Sequence, residues 1–132
     1  MLMPMTADDL LVGIFCYLRQ NSDIKKLTAD REILHKAFYA VKVKFPDKMT
    51  TFTFREREQF PESAQLDQAL SNLDATGLIS RQNLTPRYYL FEDPLVSTYD
   101  TFSKKILASS GISEDDLKAF AGEIRDIAYG TA

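Results

Sequence analysis

The chain holds one cysteine, Cys16, and one histidine, His35. A disulfide framework needs a second thiol and a Cys/His zinc site needs more ligands than this pair supplies, so both are excluded. His35 has no partner in the sequence that marks a nucleophile–base arrangement, which argues against hydrolytic chemistry of that kind. The five glycines are scattered and form no phosphate-cradling loop. Basic charge is not in excess. Against 16 Lys plus Arg stand 19 Asp plus Glu, a net charge of −3, which excludes gripping a polyanion by bulk charge alone. The longest apolar run, Leu10 to Leu18, is about half of the ~20 residues a membrane span requires. No Pro- or Gly-rich linker, low-complexity tract or internal repeat breaks the chain, so its 132 residues read as one domain, 1–132. Two Asp, Asp8 and Asp9, stand before the apolar run where an export signal would carry basic residues. With a lone Cys16 inside an apolar helical pattern, this predicts a cytoplasmic protein with a buried thiol. No cofactor and no metal are expected.

Hydrophobic residues make up 45 % and charged residues 27 % of the chain, the balance of a soluble globular domain. Thr6 is placed to cap a first helix over about 7–20, with Leu10, Leu11, Ile14, Phe15 and Leu18 at helical spacing. Thr28 is placed to cap a second, with Ile33, Leu34, Ala37, Phe38 and Val41 as its stripe and Pro46 ending it near Phe45. His35 lies beside that stripe and reads as a surface or boundary residue. Alternating Phe and Thr over 51–55 predict a strand. Pro61 or Ser63 opens a third helix carrying Leu66, Ala69, Leu70 and Leu73, and Gly77 stops it. Residues 78–81 and 87–91 then read as a hairpin around a loop at 82–86. Asp93-Pro94 starts a helix of about 94–109, Gly111 closes it, and Ser113 caps a last helix with Leu117, Phe120, Ala121, Ile124 and Ala128. The acidic pairs carry no metal argument. Glu56 and Glu58 interleave with Arg55 and Arg57, and Glu114 to Asp116 suit a helix N-terminus.

The stretch from Ser63 to Phe91, with Leu66, Leu70 and Leu73, then Gly77-Leu78-Ile79, then a hairpin ending in Tyr88-Tyr89-Leu90, resembles the third helix and wing of winged helix-turn-helix domains. A glycine lets the chain reverse there and two apolar residues seat the strand against the helices. The resemblance implies an α+β fold: a winged helix-turn-helix domain with a two-stranded wing over about 7–93, and two additional C-terminal helices over about 94–129. The implied order is helix–helix–strand–helix–strand–strand–helix–helix. Over about 30–91, with Pro61 and Ser63 before the third helix, the chain more loosely resembles the winged-helix antitoxin and proteolytic-adaptor group. The expected core is Leu11, Ile14, Leu18, Leu34, Phe38, Val41, Leu66, Leu70, Leu73, Leu78, Ile79, Leu90, Phe120 and Ile124.

Winged helices commonly set the third helix in the major groove of double-stranded DNA and the wing on the backbone, so the resemblance implies a non-enzymatic DNA-binding transcriptional regulator. On that reading Gln65, Gln68 and Asn72 offer amides to adenine edges, and Arg81, Asn83 and Arg87 line the wing. The charge pattern pulls the other way. No Lys or Arg falls between Glu62 and Ser80, and residues 62–94 hold two basic against five acidic groups. Lys36, Lys42, Lys44 and Lys48 of the second helix do not repeat as a stripe. A protein–protein interaction module or adaptor that does not touch DNA therefore stands as the alternative. Leu95, Tyr99, Phe102 and Ile106, spaced four, three and four, mark a candidate seam for a homodimer, unless they pack within one chain to complete a small core. No membrane partner is expected.

Overall fold

The computed structural model describes residues 6–21, 25–56, 59–82 and 87–129. Helix α1 (Ala7–Asn21) is its centre. Thr6 and Asp9 form a reciprocal cap, Asp9 N–H donating to Thr6 Oγ1 at 3.2 Å and Thr6 N–H to Asp9 Oδ2 at 3.3 Å. Every residue from Leu10 to Leu18 is buried. A helix apolar all round must be covered all round. Helix α3 (Ala64–Ala75), the last helix α6 (Glu114–Tyr129) and the helical stretch from Pro94 to Ser109 all pack on it.

Helix α2 (Arg31–Lys44) is capped by Asp30, whose carboxylate accepts the Ile33 N–H at 3.2 Å. Thr28, the expected cap, instead accepts the Asp30 N–H and shapes the turn before it. Phe45 ends the helix ahead of Pro46 as expected. Ser63 caps α3, accepting the Leu66 N–H at 3.3 Å, and Gly77 follows at φ 79°, letting Leu78 N–H reach back to the Leu73 carbonyl at 3.0 Å.

The sheet has three antiparallel strands in the order β1–β3–β2. β2 (Ile79–Gln82) and β3 (Tyr88–Phe91) are the expected hairpin arms. Its tip lies outside the described residues. The third strand is β1 (Lys26–Thr28), between α1 and α2, with Leu27 opposite Tyr89. Residues 51–55 form no strand; their one ladder contact is a bridge from Arg55 to Glu62. There the backbone is held by side chains instead. Lys42 Nζ donates to the carbonyls of Met49 and Phe52, and Gln65 accepts the Thr53 N–H. Phe52 packs on Phe38 and Phe54 on Tyr39, with ring centroids 5.5 and 5.3 Å apart. The first strand thus precedes α2 rather than following it.

Beyond the sheet, α4 (Pro94–Thr98), a π-helical stretch (Tyr99–Ser103) and α5 (Lys104–Ser109) run on from one another. Gly111, at φ 85°, turns the chain into α6, which Ser113 and Asp116 cap reciprocally. The buried residues of the first helical stretch are Leu95, Tyr99, Ser103 and Leu107. That spacing of four is wider than the α-helical 3.6, as a π turn requires. The expected seam at 95, 99, 102 and 106 is therefore split, with Phe102 turned outward.

Of the fourteen expected core residues, Leu78 and Leu90 are only half-buried, and the rest are buried. Leu90 sits in the outward row of the sheet between Ser80 and Lys26. Cys16 is buried in the core as expected. Burial pushes its thiol up to about 11, so it stays protonated and unreactive at neutral pH. No helix among the described residues is long and apolar enough to cross a membrane.

One close approach is testable. A Cβ on Gly13 would lie 2.8 Å from Leu107 Cδ1 and 3.0 Å from Leu117 Cδ2, both buried. Overpacking costs roughly 1–3 kcal/mol and the better helix propensity of alanine returns about 1. Gly13→Ala is expected to lower the urea-unfolding free energy by about 1 kcal/mol, and to cost less in a Leu107→Ala background, where room has been made.

Candidate functional site

A cluster of charged and polar side chains lies where the N-terminus of α2, the outward side of α3 and the inner row of the hairpin converge. It surrounds a cleft of about 220 Å³ walled by Arg31, Asp67, Ser71, Asp74, Arg81 and Tyr89, with Leu34 and Leu70 among its apolar lining. A second hollow of about 280 Å³, lined by Thr53, Arg55, Glu62 and Gln65, shares Arg31 and Asp67 with it. The Arg31–Asp67 pair thus stands as a partition between the two.

That pair belongs to a network. Arg31 Nε and Nη2 grip both Asp67 oxygens, at 3.1–3.2 and 2.6 Å, and Nη1 reaches Glu62 Oε1 at 2.8 Å. Below it His35 is fully buried, contrary to its expected surface position. Its Nε2 is 2.8 Å from Asp67 Oδ1, and its Nδ1 accepts the Ser63 N–H at 2.9 Å. Since Nδ1 faces a donor, the bond to Asp67 is donated by Nε2–H, which assigns the tautomer from the network. Burial pushes the Asp67 carboxyl up, but hydrogen bonds from Arg31 and His35 outweigh it and hold it below the usual carboxylate range. The arginine is correspondingly raised by its bonds to Asp67 and Glu62.

Ser63, His35 and Asp67 converge without forming a nucleophilic triad. The histidine meets the Ser63 main-chain N–H, not its hydroxyl. Ser63 Oγ donates to Gln65 Oε1 at 3.0 Å and accepts the Leu66 N–H, and the residue is wholly buried. The base has no nucleophile to activate. The three residues instead join α2 to the start of α3.

The sequence-derived candidates separate into two groups. Gln68 is exposed and donates to Asn72, Arg81 is exposed at the cleft, and Arg87 is exposed just before β3, its carbonyl accepting the Ala29 N–H. Gln65 and Asn72 are tied inside the chain. Gln65 Oε1 accepts from Thr53 N–H, Thr53 Oγ1 and Ser63 Oγ. Asn72 Nδ2 donates to the Asp8 carboxylate at 3.1 and 3.3 Å, and its Oδ1 accepts from Gln68. Asn83 lies outside the described residues. Of the candidate dimer seam, Leu95 and Tyr99 are sealed in the core, Ile106 is half-buried and Phe102 is exposed. The four do not share one outward face of the chain. Sequence reading missed Arg31 and Tyr89 as wall residues. Arg31 is four positions before His35 and 36 before Asp67, and nothing local marks a pairing made only when α2 and α3 pack.

The lysines of α2 and of the turn after it do not gather either. Lys36 pairs with Glu32, Lys44 with Glu123, and Lys48 with Asp116 and the Gly111 carbonyl, while Lys42 is occupied by Met49 and Phe52. No protein-family model, curated protein or solved structure matches the chain.

The Asp67 network sets a pH dependence. A carboxyl whose folded pKa is lowered contributes stability present above its ordinary pKa of ~3.9 and lost as pH falls below that. Asp67→Asn keeps an acceptor for His35 but removes the charge facing Arg31. Its deficit relative to the native chain is expected at pH 7 and to shrink steadily below about pH 4 in urea titrations. Asp67→Ala also orphans the buried His35 N–H and should cost roughly 2–4 kcal/mol.

Proposed function

We propose that residues 7–93 are a winged-helix domain extended by the helices of 94–129, and that the chain is a non-enzymatic cytoplasmic regulator that contacts double-stranded DNA mainly through its hairpin. One juxtaposition supports this above the rest. Ser71 and Asp74 of α3, Arg81 and Tyr89 of the hairpin and Arg31 of α2 line one cleft, so the two surfaces a winged helix presents to a duplex face the same side. The succession α3–β2–β3, a helix followed by an antiparallel hairpin, supports that reading, while the first strand, β1, stands before α2 and not after it.

The electrostatics say which contacts carry the binding. The acidic side chains on α3 and just before it are partly answered from within: Glu62 and Asp67 by Arg31, and Asp74 by the Arg81 N–H at 3.2 Å. This lessens their repulsion of phosphate without reversing it. With Gln65 and Asn72 engaged internally and one Gln68 N–H given to Asn72, base readout rests on the remaining amide groups of Gln68 and on Ser71, while Arg81 and Arg87 supply phosphate contacts. Such a surface binds duplexes weakly, with a salt slope of about two, roughly one per arginine, and modest sequence preference. The absence of any cation on α3 itself favours a second reading, a protein-interaction module or adaptor meeting a protein with the same face.

Selection from a random duplex pool at low salt, followed by anisotropy titration, decides between them. Retained duplexes are expected, with Arg81→Ala and Arg87→Ala each weakening binding about three- to tenfold irrespective of sequence and flattening the salt slope by about one. Gln68→Ala should weaken only the selected sequences. If no duplex is retained at low salt, the DNA reading falls and the protein-partner reading replaces it.

A further inference from the structure

On another side of α3, away from the cleft, lies an open groove of about 450 Å³ between the start of α1, the end of α3 and the π-helical stretch. Its lining is mostly apolar. Val12 and Leu73, almost fully buried, are joined there by Leu78 and Phe102. Phe102 is 63 % exposed, an unusual position for a phenylalanine. The π turn is the reason. It moves the buried stripe onto Ser103 and Leu107 and leaves Phe102 displayed at the groove. Wide turns of this sort sit often at functional sites, because a helix regular throughout would be the easier structure to form.

The polar lining has one sign. Asp8 and Asp9 line the groove, and no lysine or arginine does. Their described partners are neutral. Asn72 donates to Asp8, and Thr6 and Ser103 donate to Asp9. Neither forms an ion pair among the described residues, and the positive end of the α1 dipole answers the two charges only in part. A symmetric dimer through this face would press the carboxylates of two copies together in an apolar setting, which like charges disfavour. A partner with the opposite sign and an apolar anchor fits.

We propose that this groove docks a cationic amphipathic helix from a partner protein, an apolar side chain packing against Phe102 and Leu73 and a lysine or arginine meeting Asp8 and Asp9. An apolar stripe in a groove with charge at the rim is a common way for a helix to be held. The inference stands on this face alone and does not depend on duplex binding by the hairpin.

The test uses the full chain and a labelled Leu/Lys peptide of about 18 residues, ~five helical turns with one apolar stripe, with a Leu/Glu peptide of the same pattern alongside. By anisotropy the Leu/Lys peptide is expected to bind saturably, with Phe102→Ser weakening it about tenfold. Asp8→Asn, which leaves an acceptor for Asn72, should weaken it about threefold and flatten its salt dependence. Amide shift changes should centre on Val12, Leu73 and Phe102. Since Phe102 is largely exposed, its urea midpoint should not move. Arg81→Ala should bind the peptide as the native chain does, which separates this groove from the hairpin. Any of four results overturns the proposal: no saturable binding of the Leu/Lys peptide, unchanged binding in Phe102→Ser, equal binding of the Leu/Glu peptide, or shift changes centred instead on Glu114 to Asp116. Self-association that Phe102→Ser abolishes would assign the groove to a second copy and overturn it as well.

Discussion

A helix buried on all sides governs this architecture. From Leu10 to Leu18 α1 has no face to offer solvent, and a tri-helical body with a small sheet can cover only part of its circumference. The remaining side is closed by the segments that follow the sheet. Leu95, Tyr99, Leu107, Leu117, Phe120 and Ile124 are all buried, and Phe15 stacks on Phe91 with centroids 4.9 Å apart just where the chain leaves the sheet. The C-terminal helices are therefore part of the core, not an appendage to a finished domain. At Gly13 the absence of a side chain is what lets Leu107 and Leu117 come so near the α1 backbone. Small domains gain most from such added burial, because so much of their chain lies at the surface.

The same packing decides which polar groups are available to a ligand. Once α2 lies beside α3, Arg31 is within reach of Glu62 and Asp67, and the buried imidazole beneath needs Asp67 as its acceptor. A carboxylate already holding an arginine fork and a histidine N–H is a structural group. Its departure would leave His35 unsatisfied in the interior, which costs far more than an exposed ion pair contributes. This is why the acidic character of α3 in the sequence overstates its repulsion of phosphate, and why the amides of Gln65 and Asn72 overstate its power to read bases. Asp67, Gln65 and Asn72 each have a partner supplied by an element outside α3, which helical spacing does not show.

Local chemistry was legible where the determining contacts are local. The caps at Thr6, Ser63 and Ser113, the stop at Pro46 and the glycine turns at 77 and 111 involve residues a few positions apart, and they lie where spacing and residue type put them. Apart from the cap of α2, which Asp30 supplies in place of Thr28, what escaped depends on distant partners. Lys26–Thr28 is a strand only because β3 has a free edge beside it, and one apolar residue in three gives no alternation to read. Thr51–Arg55 has the alternation but no neighbouring strand, so its aromatics pack on α2 while Lys42 and Gln65 satisfy its backbone. His35 sits next to Leu34 in the stripe, and a polar side chain at such a margin is buried only if the other helix brings its acceptor. Of the candidate site, the hairpin arginines were readable as exposed residues; the cleft they border was not, since three of its walls meet only in the folded chain.

The π-helical stretch shows how a single local departure links core to surface. Leu95, Tyr99, Phe102 and Ile106 read as one face under a period of 3.6, and that face would have been continuous. Widening the turn across Tyr99–Ser103 keeps Tyr99 against Tyr17 at 6.0 Å, in an edge-on contact, and brings Ser103 under Asp9. A serine then occupies a position in the buried stripe that Phe102 would otherwise approach, satisfied by a hydrogen bond and not by apolar contact. The rearrangement gives up burial of a large aromatic, an exchange the core alone does not require, since Phe102 buried would contribute more than Ser103 does. The face that receives Phe102 is also the one whose carboxylates form no ion pair among the described residues, whereas on the opposite flank of α3 Asp67 is answered by Arg31 and Asp74 by the Arg81 N–H. The molecule thus divides its unpaired charge and its exposed aromatic surface onto one side and its compensated polar network onto the other, and two sides so differently finished suit two different kinds of contact.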